Sequence, residues 1–247
     1  MLRRIWLGLK LFICYLLPFL PCCPKIGELI EADDILVQAF GRNLFDDESL
    51  GKVISRLLQR AKSLGEAFAL LTYEGFDPGK PNMALAKKAI RLAKQFRIPI
   101  IAQWEVVFAI WQLDRRWFFD NQSQIDCIWP PELGYFATWH EKMDSKEAMR
   151  VKGVYHPIEL AHPVMLPRAV AILWKLQVPV VVEPVRPWSF FRHELFVFDK
   201  KTVQWWTGAF WRFSCLYEVL GRPHHIFIKR WVSFIPPLPI PVYARAR

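Results

Sequence analysis

The side chains in this chain that could hold an anion or move a proton fall just after segments that read as β-strands. Gly41-Arg42-Asn43 follows one such segment, Thr72-Tyr73-Glu74-Gly75 a second, Gln103 and Glu105 a third, and the run His162 to Arg168 a fourth. In an open α/β sheet, ligands bind outside the carboxyl ends of the strands. By that rule Gly41, Arg42, Thr72, Glu74 and Arg168 are the residues expected to bind a small polar or anionic ligand. Arg168, just inside a helix start, could hold an anion together with the helix N-terminus or make an ion pair that fixes the turn. Glu105 is a possible general base, or a first-turn carboxylate favoured by the helix dipole. His162 is the other group on these loops able to exchange a proton near neutral pH.

Standard catalytic strings are absent: the chain has no GxSxG, P-loop, HExxH, paired CxxC or GxGxxG. No metal site is expected, because His224 and His225 are adjacent and His140, His156, His162 and His193 are scattered. No cofactor is specified by any motif.

The elements expected to position these residues alternate between short apolar runs and helical stretches, as in βαβ units around a mainly parallel sheet. Strands are predicted at Asp34–Phe40, Ala67–Thr72, Ile98–Ala102, Pro157–Ala161 and Val178–Val182, with a short one at Cys127–Trp129. Helices are predicted over Leu50–Leu64, Met83–Phe96 with Asn82 as cap, Trp104 to about Asp114, Lys142–Lys152, Pro167–Leu176 and the second half of Phe190–Leu220. The Pro-rich run 236–241 reads as an extended tail.

The 247 residues carry a net charge of +10, with 53% hydrophobic residues and 12 Trp. That apolar content excludes intrinsic disorder, and the composition excludes collagen-like, coiled-coil and disulfide-scaffold classes. Cys127 and Cys215 read as core thiols, with Cys14, Cys22 and Cys23 in the N-terminal segment. Nucleic acid is not an expected partner: the basic residues are dispersed, and Trp205, Trp206, Trp211 and Trp231 lie in apolar surroundings. A basic aromatic C-terminal surface against an anionic bilayer fits them better.

Arg3 and Arg4 precede an apolar run from Ile5 to Cys23 that is just long enough to span a bilayer if Lys10 snorkels. An uncleaved signal-anchor is the main reading of residues 1–25, beside a cleaved signal and a docked or interfacial helix. The basic N-terminus would stay inside and the body would lie on the outer face of the membrane.

Several short strings resemble the YdcF/SanA/ElyC-like family, a bacterial domain with a Rossmann-like α/β fold, often anchored in the membrane. Asp34-Ile35-Leu36-Val37-Gln38-Ala39-Phe40-Gly41 is similar to its first strand and turn, and Met165-Leu166-Pro167-Arg168-Ala169 to its later turn and helix start. Asp144-Ser145-Lys146-Glu147-Ala148 and Leu216-Tyr217-Glu218-Val219-Leu220-Gly221 match two further helices more loosely. The resemblance implies a three-layer Rossmann-like domain over 33–230, behind an N-terminal hydrophobic helix and ahead of an extended tail at 231–247. It also implies a role in the cell envelope, carries over Gly41 and Arg168 to the site, and adds Glu147 to the possible catalytic residues. The family's turn histidine falls at Met165, leaving His162 three residues early, and its Ser-Gly-Gly loop appears as Thr72-Tyr73-Glu74. A member so altered has either a changed ligand or none, and in the second case is an envelope scaffold or interaction protein.

Overall fold

The computed structural model describes residues 2–17, 21–40, 54, 56, 59–129, 138–187, 192–199, 226 and 232–237. Four short apolar segments, β1 (Asp34–Val37), β2 (Ile100–Gln103), β3 (Ile125–Ile128) and β4 (Pro157–Leu160), make one sheet. All pairings are parallel, in the order β3-β2-β1-β4. β1 registers Leu36 against Ile101 on one side and against Glu159 on the other. Direct partners in a ladder share a face, so the register sorts the core in two. Ile35, Val37, Ile100, Ala102, Ile158 and Leu160 point one way and join one buried cluster; Leu36, Ile101 and Ile128 point the other way and join a second. A parallel sheet needs helices on both faces, and both clusters are completed by helices.

The first face is covered by α2 (Leu64–Tyr73), α3 (Gly79–Phe96), α4 (Trp104–Leu113) and α5 (Arg115–Asp120). α2 replaces the strand predicted at Ala67–Thr72. Its apolar run is short enough for a strand, but Ser63 accepts a hydrogen bond from the Glu66 amide at 3.2 Å and Glu66 accepts one from the Lys62 amide at 2.7 Å. This Ser-x-x-Glu start selects helix. Gly65 lies in the first turn of α2, where a Cβ would come within 2.8 Å of the Phe119 ring. Asn82 does not cap a helix: α3 starts at Gly79, and Asn82 is fully buried inside it.

The second face is covered by α1 (Leu2–Leu16), α6 (Thr138–Lys152) and α7 (Leu166–Lys175). Residues 178–185 extend the sheet edge through single bridges rather than a full strand. Val181 exchanges backbone hydrogen bonds with Pro157 and Glu159 at 2.8 and 2.9 Å, and Val182 with Ile26 in the antiparallel sense. Cys23 likewise pairs with Val185, so the segment expected to close an anchor covers a sheet edge instead.

No helix among the described residues is long and apolar enough to cross a membrane. α1 is 15 residues and lies on the body, which does not favour a single-pass anchor over 1–25. Gly8 sits where a Cβ would collide with the Phe234 carbonyl, Phe12 and Tyr15 meet the Phe234 ring edge-on at 5.0 and 5.1 Å, and Arg4 donates to the Pro236 carbonyl. The start of the expected tail is therefore docked, with the Ser233 amide also donating to Ala171 at 2.8 Å. Of the helix expected over 50–64, Ile54, Arg56, Gln59 and Arg60 are helical, and residues 61–63 break the run before α2. The helix expected in the second half of 190–220, Cys215 and, but for Ile226, the run from Trp205 to Trp231 lie outside the described residues.

Candidate functional site

Strand order reverses beside β1: the chain steps outward to β2 and β3, then returns to place β4 on β1's other side. The crevice between the carboxyl ends of β1 and β4 is where an open α/β sheet binds its ligand. Two donors on the β1 side are already taken. The Ala39 amide donates to Gln103 Oε1 at 2.6 Å and the Phe40 amide to Asn82 Oδ1 at 2.9 Å, while Asn82 Nδ2 donates back to the Pro78 carbonyl at 2.7 Å. Gln103 ends β2 and opens α4 without a loop, and Asn82 comes from the first turn of α3, so both are placed by regular structure.

On the β4 side, His162 is 1% exposed. Its ring stacks on Phe40 at 3.8 Å with 9° between planes, with Phe198 edge-on at 4.7 Å and Phe196 at 5.5 Å. Nδ1 accepts from the Val164 amide at 3.4 Å. Burial, reinforced by nearby His193 against a raising contact from the Val197 backbone, pulls its pKa down to about 3. The imidazole is thus neutral at physiological pH and built into an aromatic stack.

Arg168 lies in the first turn of α7, 4% exposed, at the same end of the sheet. Glu105 is buried in the first turn of α4. It is one cause, after burial itself, of the raised pKa of the Cys127 thiol. Glu147 is remote from both. It lies exposed on α6 and pairs with Arg150 at 2.6 Å, lining a cavity of about 450 Å³ with Tyr155, which precedes β4. Thr72 and Glu74 are not at a strand end at all: Thr72 is exposed on α2 and donates to the Phe68 carbonyl at 3.0 Å, and Glu74 caps that helix. Gly41 and Arg42 lie outside the described residues. The strand-end reading therefore brings His162 and Arg168 to the carboxyl end of β4 and Glu105 to that of β2, and leaves Glu147, Thr72 and Glu74 elsewhere.

Two polar clusters escaped the sequence reading, one around a buried lysine and one buried throughout. Lys88, 3% exposed on α3, contacts Glu183 and meets Glu194 at 2.9 Å; Arg91 joins Glu194 at 2.8 Å. Burial raises the Glu194 pKa, but hydrogen bonds from Arg91 and Lys88 outweigh it and hold the group down to about 2. His193 is depressed mainly by burial and then by Lys88, so this cluster reaches toward His162 electrostatically. The second cluster lies under α6. Lys142 Nζ donates to Glu159 Oε1 at 2.6 Å and lies 3.4 Å from Glu141 Oε1, which accepts from Ser145 Oγ at 3.2 Å. Lys142 and Glu141 are fully buried and Glu159 is 2% exposed, so none of the three faces solvent. The available signals were a lysine at an inner helical position beside Leu85, Ala89 and Leu92, and a glutamate in the middle of an apolar strand.

Compared with protein-family models, curated proteins and solved structures, the chain matches none.

Proposed function

We propose that this chain is a Rossmann-like α/β domain of the YdcF-like kind that acts in the cell envelope as a non-catalytic scaffold or interaction protein. One observation carries the reading: at the strand-order reversal, the ring of His162 is stacked on Phe40 and enclosed by Phe196 and Phe198. A site that cradles an anion needs open backbone amides, and here Gln103 and Asn82 occupy those of Ala39 and Phe40. Met165 in place of the family's turn histidine fits the same reading.

A second reading, a small polar or anionic ligand at the strand ends, is favoured by Arg168, a buried guanidinium in the first turn of α7. One experiment separates the two. Thermal unfolding of wild type and Arg168→Ala is followed with inorganic phosphate, sugar phosphates and nucleotides. A ligand at a hundred times its dissociation constant adds about 2.7 kcal/mol, so binding would be plain. The scaffold reading expects no ligand-dependent shift in either protein. A shift in wild type that Arg168→Ala abolishes would replace it with the ligand reading.

A further inference from the structure

α1 has two apolar sides. Gly8, Leu11 and Tyr15 are buried against the body, while Leu2, Ile5, Trp6, Leu9, Ile13 and Leu16 remain between 44% and 84% exposed. At about 100° per residue, these exposed side chains fall in one arc of about 100°, opposite the buried side. An apolar arc of that width, left open to water on an otherwise folded body, marks an interaction surface.

Charge identifies the occupant. Arg3 and Lys10, both exposed, flank one border of the arc, and Lys10 lies over the Trp6 ring at 5.4 Å. Trp at the edge of an apolar face with cations beside it is the composition of a helix lying in a lipid interface. The chain's charge of +10 points the same way. We propose that α1 binds an anionic bilayer surface lying in its plane, with its outer arc sunk among the headgroups and acyl chains and the folded body on the same side.

Two facts favour this posture over insertion end-on. The helix is about 22 Å long at 1.5 Å per residue, against a hydrocarbon core of about 30 Å. Its inner side is also held by the close approach of Gly8 to Phe234 and by the Arg4 contact to Pro236, which end-on insertion would break. The inference goes beyond the scaffold reading, since a domain with an occupied or a closed crevice could equally dock in this way.

The test uses the full chain and two sets of sealed vesicles, phosphatidylcholine alone and phosphatidylcholine mixed equally with phosphatidylglycerol, separated by flotation. Wild type is expected to float with the anionic vesicles and to bind the neutral ones on the order of tenfold more weakly. Trp6→Ser with Ile13→Ser should lower binding to both sets by tenfold or more, on the order expected for losing two buried apolar side chains. Arg3→Glu with Lys10→Glu should abolish only the preference for anionic lipid, and both variants alter exposed positions so that thermal unfolding stays near wild type. An N-terminal tag should stay accessible to antibody outside the vesicles. Equal flotation of wild type and Trp6→Ser/Ile13→Ser would overturn the proposal, as would a protected tag. So would wild type that ignores vesicles but dimerises through the same side chains on a sizing column.

Discussion

The two faces of the sheet are buried to the same depth and built on different chemistry. The face under α2 to α5 is closed by aromatic packing: Phe68 lies 5.4 Å from Phe108, 5.9 Å from Phe118 and 6.0 Å from Trp129, and Phe76 lies 4.7 Å from Trp104. The face under α6 and α7 mixes aliphatic packing with Glu159, Lys142, Glu141 and Asp34, each 2% exposed or less. Dispersion and hydrophobic burial hold most of the first face and are indifferent to pH, His162 beside Phe40 being the exception. Charges buried in the second are tolerated only while they are paired and hydrogen-bonded. One sheet thus presents a robust face and a conditional one, and the conditional face is the one on which α1 rests.

The sharpest way to break this comparison is to remove one partner from the conditional face. Lys142→Met should cost about 3–5 kcal/mol, because Glu159 and Glu141 are left buried and uncompensated. The double change Lys142→Met with Glu159→Leu should recover much of that loss. Chemical denaturation of the three proteins measures both, and a Lys142→Met protein as stable as wild type would mean the network is incidental.

A smaller effect sharpens the contrast through pH. Burial is the first cause raising Glu159, and despite Lys142 its pKa goes from the ordinary 4.5 to about 7; Asp34 and Glu141 are raised in the same direction. The folded protein therefore keeps a proton that the unfolded chain has released, and Glu159's contribution is full below pH 4.5 and is lost as pH climbs to about 7. His162, stacked on Phe40 at the aromatic face, has the opposite sign. It stays neutral in the folded protein, so its contribution is full above 6.5 and is lost as pH falls toward about 3. Between pH 4.5 and 6.5 the two slopes oppose, each at most about 1.4 kcal/mol per pH unit. Glu159→Gln should unmask stability that rises with pH in that window, and His162→Phe stability that falls. Denaturant midpoints taken across the window read this directly, and identical profiles for the two variants would contradict it.

The smallest expected effect lies at the edge of the robust face. Ser63→Ala removes the cap of α2 and should cost about 1 kcal/mol in the same unfolding measurement. A larger loss would show that α2 depends on its cap more than on Phe68.

Much of the frame was legible in residue order. β1 and β2 are short apolar runs bounded by breakers, β4 is one interrupted by Glu159, and α4, α6 and α7 fall within a few residues of their expected spans. Where the reading failed, a local run was ambiguous. Ala67–Thr72 has the length and apolarity of a buried strand, and the Ser63 and Glu66 pair that settles it lies outside the run. The site was less legible than the fold. The rule that ligands sit at strand ends led to His162 and Arg168, but it sent Thr72 and Glu74 to a strand that is a helix, and could not foresee that Gln103 and Asn82 would occupy the amides of residues 39 and 40.

By itself the sequence determined the class of fold, because the period of apolar residues and the identity of breakers are local properties that chain order records. It also recorded that the N-terminal segment is apolar with a basic start. Only the tertiary structure decided what that segment does, since whether one side of α1 is buried depends on Phe234 and α7, which lie far away in sequence. Only tertiary structure, likewise, decided that His162 is a neutral member of an aromatic stack. The pKa of an imidazole is set by what surrounds it, and here the surroundings come from Phe40, His193, Phe196 and Phe198, brought together across more than 150 positions.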